Sequence, residues 1–258
     1  MIAGWKPPRT LEEKIKDTLS PGWLYIRYKA AKELWKGEVE VKLLPYLVNR
    51  TRNAVDAGAN KGTYSYFLGR LAKHVYAFEP NPKMFDILTK TASSKITVSP
   101  IALSNRSGTA VLRVPISAAG GYSNQGASLS ETKVTGKFGS VDVTTQRLDE
   151  FKLQNIGFIK IDVEGFEQEV LEGAVDTIER DKPTLLIEME ERHNKIPIEQ
   201  SLAAVMKLGY SGLFFDRDNR ALRSLDSFHP DKHHRKPEGS YIFNFIFFPT
   251  GSAKPAFV

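Results

Sequence analysis

The chain has 258 residues, 41% of them hydrophobic, a net charge of +6 and no cysteine. That length buries one large core with an appended segment, and the missing cysteines exclude disulfides, thiolate zinc sites and a cysteine nucleophile. No run approaches the roughly eighteen apolar residues of a membrane span, and MIAGWKPPRT lacks the apolar core of a signal peptide, so a soluble, cytoplasmic chain is expected.

Thr10 to Leu19 and Trp23 to Lys36 have helical spacing, with Ser20-Pro21-Gly22 as the break between them. In the second helix Trp23, Ile26, Ala30 and Leu34 form one apolar stripe, and Tyr25, Tyr28, Lys32 and Trp35 form another. It reads either as a helix packed across the sheet edge or as an aromatic, basic wall for substrate. Residues 1–52 carry 11 Lys/Arg against 6 Asp/Glu. Such an excess is a solvated face or a surface for anionic partners, and it leaves room for peripheral membrane contact through these helices. Glu38 to Val48 is a third helix feeding the first strand.

Asn53 to Pro80 reads as a strand, a glycine turn, a helix and a second strand ending in a carboxylate, the front of a nucleoside-binding α/β unit. Gly58 and Gly62 follow Asp56, in place of the three glycines of GxGxxG. A carboxylate at the mouth of the first strand repels a pyrophosphate and welcomes a cation. S-adenosylmethionine (SAM), with an ammonium, a sulfonium and no phosphate, fits. Glu79, at the end of the next strand, is placed to accept both ribose hydroxyls.

A helix follows at Pro82 to Thr91, then a strand at Ile96 to Pro100 and a short hairpin containing Thr109 to Val114. Ser117 to Ser140, rich in Gly, Ser and Asn, reads as a long functional loop. Strands are expected at Val141 to Thr145, Phe158 to Val163, Thr184 to Met189, Gly212 to Phe215 and Tyr241 to Phe248, and helices at Gln146 to Phe151, Phe166 to Ile178 and Ile198 to Leu208. Arg217 to Ser240 is polar and carries His229, His233 and His234. It reads as a solvated lid, because adjacent histidines without cysteine are poor zinc ligands. Alternating strands and helices predict a mostly parallel sheet covered on both faces, with the last strand inserted antiparallel.

Taken in order, VDAGANKG, FEPNP, ALSNRSG, KIDVEGFEQEVLEGA, LLIEME and NFIFFP resemble the FkbM family of SAM-dependent methyltransferases over roughly Glu38 to Pro249. The resemblance implies a class I methyltransferase (Rossmann-like) α/β fold: a seven-stranded, mostly parallel sheet with the last strand antiparallel. N-terminal helices would precede it. The corresponding division is a helical segment over 1–50, the methyltransferase domain over 51–250 and a tail over 251–258. The resemblance further implies O-methylation of a hydroxyl on a sugar, glycoconjugate or related natural product. Asp56, Gly58, Ala59, Asn60 and Gly62 match the first SAM motif, and Glu79 and Pro80 the ribose-binding strand end. Ala102 and Leu103 match a segment bordering the adenine. Asp162 matches the acidic residue beside the methionine moiety and the transferred methyl. Lys61 departs from the pattern, where an apolar residue is common, and is expected to point outwards.

An alcohol needs a base as it attacks, and the candidates cluster at two strand ends. Lys160 and Asp162 share one face of FIKIDV, and Glu188 and Glu190 share one face of LLIEME. Asp162 is the first choice as base or acceptor-orienting group and Glu188 the second; either could instead hold the ammonium of SAM. Lys160 is a buried ion pair, with Glu188 as the partner considered, or a lysine whose pKa burial lowers into the range of a base. His193 is the histidine nearest the predicted mouth. Asp162, Glu164, Glu188, Glu190 and His193 also have the composition of an oxygen-rich Mg²⁺ site, although acidic strand ends occur in this architecture without metal, and none is assigned. Two alternatives stay open: an RNA methyltransferase using the basic N-terminal segment, and a non-catalytic SAM- or nucleoside-binding protein on the same fold. No NPPY-like motif and no RNA-binding module favour the first, so a small-molecule or glycan acceptor is expected and not nucleic acid.

Overall fold

The computed structural model describes residues 7–8, 21–116, 121–134, 136–237 and 239–252. The helix expected at Thr10 to Leu19, the last residues of the tail and residues 117–120 and 135 of the long loop lie outside the described residues.

The first elements are helices α1 (Gly22–Lys36) and α2 (Glu40–Leu47). They are followed by strand β1 (Asn53–Ala57), helix α3 (Thr63–Leu71), strand β2 (Val75–Phe78), helix α4 (Pro82–Thr91) and strand β3 (Ile96–Ser99). Then come β4 (Ile101–Leu103), β5 (Gly108–Pro115), β6 (Phe138–Gln146) and β7 (Ile156–Ile161), helices α5 (Glu167–Glu172) and α6 (Val175–Asp181), and β8 (Thr184–Glu188). The chain continues through α7 (Glu191–Asn194), α8 (Ile198–Lys207), β9 (Tyr210–Asp216), β10 (Ala221–Ser224) and β11 (Asn244–Pro249).

Eight strands form the main sheet in the order β10-β9-β11-β8-β7-β1-β2-β3. The pairs β2·β3, β1·β2, β1·β7 and β7·β8 are parallel, while β11 lies antiparallel between β8 and β9. The strand residues are buried on both faces, which explains why IGFI, LLI and FIFF read as continuous apolar runs. Period two sorts the faces. Val55, Ile159, Leu185 and Ile187 enter one core cluster, and Ala54, Phe158 and Leu186 enter the other with Leu44, Leu47 and Leu68 of the helices.

Several elements differ from the sequence expectation. The main sheet has an eighth strand: β10 pairs antiparallel with β9 at its edge, inside the segment expected to be a polar lid. That segment packs inwards. Phe228 and His234 are buried, and His234 accepts the Glu191 N–H at Nε2 while its Nδ1 meets the Ile242 carbonyl at 2.8 Å. His234 is therefore a core residue with both ring nitrogens bonded. The helix expected over Phe166 to Ile178 is broken between α5 and α6, because Gly173 abuts the Ser104 carbonyl and Asp149 caps the new helix through the Thr177 N–H at 2.9 Å. The short hairpin is a long one: β5 pairs antiparallel with β6 across the whole loop, in a separate sheet of order β4-β6-β5. On α1, Ile26 and Ala30 are buried but Trp23 and Leu34 are exposed, so the helix packs on α3 and α4 through a narrower stripe than expected.

Candidate functional site

The carboxyl ends of β1, β2, β7 and β8 open into a cavity of about 340 Å³. This size suits a nucleoside-scale ligand. Gly58, Asn60, Phe78, Glu79, Pro80, Ala102 and Leu103 line one part; Glu38, Asp162, Glu164, Glu188, Glu190 and Phe243 line another.

The turn after β1 is built for close approach. Gly58, Asn60 and Gly62 all have left-handed backbone, with φ of 80°, 50° and 85°, and a Cβ on Gly58 would run into the Asp162 carbonyl oxygen. Glu79 holds this turn from beneath: one carboxylate oxygen accepts the Asn60 N–H at 2.7 Å and the other the Asn81 N–H at 2.8 Å. Each oxygen keeps a lone pair for a further donor. Burial pushes Glu79 up to about 7, against the pull of those two backbone donors. Ala59 and Gly62 are buried within the turn and do not face the cavity.

Asp56 lies elsewhere than the expected mouth. It is fully buried, accepts a hydrogen bond from Ser65 Oγ at 2.5 Å, and does not line the cavity. Alternation along β1 points it, with Ala54, toward the α3 face. The parallel register sets it beside Lys160, whose Nζ reaches Asp162 Oδ2 at 2.8 Å and lies 4.4 Å from the Tyr64 ring centroid. The partner of Lys160 is thus Asp162 and not Glu188. Burial alone would lower this ammonium's pKa, but the carboxylates of Asp162, Asp56 and Glu38 outweigh it and carry the group above the ordinary lysine range. Lys160 stays a cation, which removes it as a base.

Residues 56–228 match the family model described as the methyltransferase FkbM domain, more than half of the chain. The chain belongs to the FkbM methyltransferase family. It is 32% identical over 165 residues to the hexuronic acid methyltransferase AglP of Haloferax volcanii, covering 58% of this chain and 64% of that one, so it spans less than two thirds of that curated relative. Among solved structures it is similar to a methyltransferase FkbM from Methylobacillus flagellatus, at 19% identity and a TM-score of 0.49 over 77% of this chain and 44% of that one. An rRNA methylase from Streptococcus thermophilus aligns at 11% identity and a TM-score of 0.47, over 81% and 93% of the two chains.

In this FkbM domain the part of the cavity around Asp162 and Glu188 is dominated by carboxylates. Burial raises Glu188 well above the usual carboxylate range, and the charge of Asp162 adds to it, so Glu188 holds a proton at neutral pH. Glu190 is bonded by Tyr241 Oη at 2.8 Å and paired with Arg192. His193 approaches Glu164 at 3.5 Å and Glu190 at 3.6 Å, but burial and the Lys133 charge push its pKa down to about 4. It is a neutral ring at physiological pH and stands off the cavity wall.

Of the five residues with the makings of a cation site, Glu164, Glu188 and His193 bring ligand atoms within 4.8 Å of one another. Asp162 is engaged by Lys160 and Glu190 by Arg192.

Two contributions, Glu38 and Lys133, escape the sequence reading, which expects the long loop to be functional without giving its contacts. Glu38, in the connection between α1 and α2, lines the cavity and is held by Tyr64 Oη at 2.6 Å and Asn244 Nδ2 at 3.2 Å. The sequence reads it as the first residue of the third helix, where an acid is ordinary and signals no site. The long loop forms a strap over the rim: Ser128 Oγ donates to the Glu164 carbonyl at 2.6 Å, and Thr132 Oγ1 donates to the His193 carbonyl at 3.0 Å. Lys133 pairs with Glu164, and burial lowers it to about 8 despite the surrounding acids. Glu164 itself has φ of 59°, a strained conformation that places its carboxylate at the rim.

Proposed function

We propose that the chain is a SAM-dependent O-methyltransferase that methylates a hydroxyl of a sugar or glycoconjugate. The observation that carries this reading is one cavity joining the Gly58–Asn60–Glu79 cradle to the Asp162 and Glu188 carboxyls. The cradle fits SAM: Glu79 has lone pairs left for ribose hydroxyls, Gly58 presents bare backbone, and Ala102 and Leu103 are small apolar walls for a base. Asp56 acts from beneath, fixing the turn through Ser65 and sharing the Lys160 cation.

Bound SAM supplies an electrophilic methyl on a sulfonium. The chain's own residues position the acceptor. Asp162, pinned at one oxygen by Lys160, accepts the proton of the attacking hydroxyl, and protonated Glu188 donates a hydrogen bond that orients the acceptor. Such a base typically adds about 10²–10⁴-fold. The acceptor side carries four carboxylates besides protonated Glu188, a poor surface for the consecutive phosphates of an RNA backbone, which favours a sugar over RNA. Peripheral membrane contact of the N-terminal helices and a cytoplasmic location belong to the same reading, and cell fractionation checks the second.

The test is incubation with methyl-labelled SAM and a panel of glycans, hexuronic acids first, since the curated relative carries that name. Label is expected in the sugar. Asp162→Asn should lower kcat about 10²–10⁴-fold while SAM affinity stays within about threefold. A chain that shows no SAM binding by calorimetry sinks the proposal.

A further inference from the structure

The face of α1 that does not meet the core has an unusual composition. Trp23, Tyr28 and Trp35 are 61%, 66% and 80% exposed, with exposed Leu24 and Leu34 beside them. Monomeric surfaces rarely gather large apolar groups in this way without a partner. The charges around them are segregated. Arg27, Lys32, Lys36, Lys42 and Arg50 are all exposed, whereas the acids of the same stretch turn inward. Glu33 accepts the Glu38 N–H at 2.9 Å, Glu38 is held in the cavity by Tyr64, and Glu40 is buried 3.5 Å from Arg217. Among the described residues of 21–50, the exposed charges are therefore all positive.

We infer that this face docks on an anionic lipid bilayer, with Trp23, Tyr28 and Trp35 in the headgroup layer and Arg27, Lys32 and Lys36 against lipid phosphates. Trp and Tyr settle at such interfaces because one end of each ring system is apolar and the other wet, and Lys and Arg stems lie along apolar surface while their heads reach anions. Charge complementarity selects the lipid. A second copy of the chain would bring Arg27, Lys32 and Lys36 against the same three cations, which opposes self-association through this face. The placement also serves the cavity: Glu38, two residues past the end of α1, lines it. Docking therefore sets the cavity rim at the bilayer surface, within reach of an acceptor carried on lipid. This inference deepens the proposed membrane contact of the helices, yet its test is independent of methyl transfer.

The experiment is co-sedimentation of the full chain with phosphatidylcholine vesicles, with and without phosphatidylglycerol. Binding is expected only with the anionic lipid, and weaker at high salt because screening shortens from about 10 Å at 0.1 M to about 3 Å at 1 M. Each basic side chain is worth about 1 kcal/mol at such a surface, about fivefold. Arg27→Glu with Lys32→Glu should therefore weaken binding at least about 25-fold. Trp23→Ser with Trp35→Ser should cost at least about tenfold, while Met206→Ser with Lys207→Glu, an exposed pair on α8, should change it less than about twofold. Circular dichroism and SAM affinity of each variant check that the fold is intact. Equal binding to both vesicle types, no binding, or a dimer in sedimentation equilibrium that the tryptophan substitutions dissolve overturns the inference. Turnover of a soluble sugar acceptor should be the same in all these variants, so failure here leaves the methyltransferase reading standing.

Discussion

Replacing Lys160 by methionine removes the charge on which buried Asp56 and half-buried Asp162 converge while keeping the volume of the side chain. Lys160 is 4% exposed in its side chain and bonded to Asp162 at 2.8 Å, and Asp56 beside it is fully buried. Removing one partner of a buried pair costs about 3–5 kcal/mol. Asp162 is 26% exposed in its side chain and recovers some solvation, so the lower end, about 3 kcal/mol, is expected at pH 7. For a chain of this size that is a fall in Tm of about 6–12 °C. The pH dependence has a definite sign. Burial already raises the Asp56 pKa and Lys160 holds it back, so the variant raises it further. A carboxyl with a raised folded pKa favours the folded state below its unfolded pKa and loses that contribution as pH rises, so the deficit should be smaller at pH 5 than at pH 8. Urea melts at both values, with an unchanged m-value, measure it. Adding Asp56→Asn to Lys160→Met removes the orphaned charge but keeps the acceptor for Ser65, and should recover at least about 1 kcal/mol over additivity. A deficit under about 1 kcal/mol, a flat pH profile or simple additivity would refute the charge-sharing scheme.

Three further outcomes are expected. Gly58→Ala should cost well over the about 1–2 kcal/mol of a left-handed alanine, since its Cβ meets the Asp162 carbonyl; Gly209→Ala, with φ of 85° but open space around it, should cost only that strain. Thermal melts of the two variants compare them directly. Glu167 is buried, accepts the Gly165 N–H at 2.8 Å, and is pushed up to about 7 by burial. It therefore contributes stability below its unfolded pKa that is lost as pH rises to 7, and Glu167→Gln should gain on the wild type by up to about 3 kcal/mol between pH 4.5 and 8 in denaturant melts. Ser128→Ala leaves the Glu164 carbonyl and the Ser130 N–H without their strap bonds, and should speed hydrogen exchange of the Ser130 amide by at least about tenfold.

Much of this molecule is legible in the residue order. The apolar runs of β7, β8 and β11 announce buried strands, the left-handed turn is written in Gly58 and Gly62, and Asn81 followed by Pro82 marks the start of α4 by a cap that the structure shows accepting the Lys83 N–H at 3.0 Å. Elements paired across long stretches were less legible. β5 has an ordinary strand pattern while β10 sits in a segment that reads as a polar lid, and nothing local says that one finds β6 across the loop and the other extends the main sheet. Their partners are chosen by where Leu112 and Val114 of β5 and Leu222 of β10 find apolar neighbours.

What the sequence determined by itself is the α/β class, the parallel core with an antiparallel last strand, and the FkbM signature with its ordered motifs, because these rest on local spacing and period. Tertiary structure alone decided which face Asp56 occupies, that Lys160 lies beside it, that Glu38 joins the cavity from the N-terminal helices, and that α1 turns its acids in and its aromatics out. The physical reason is that ionisable side chains act through neighbours distant in sequence. The register between β1 and β7 brings Asp56 beside Lys160, 104 positions away, and no spacing within either strand reports it.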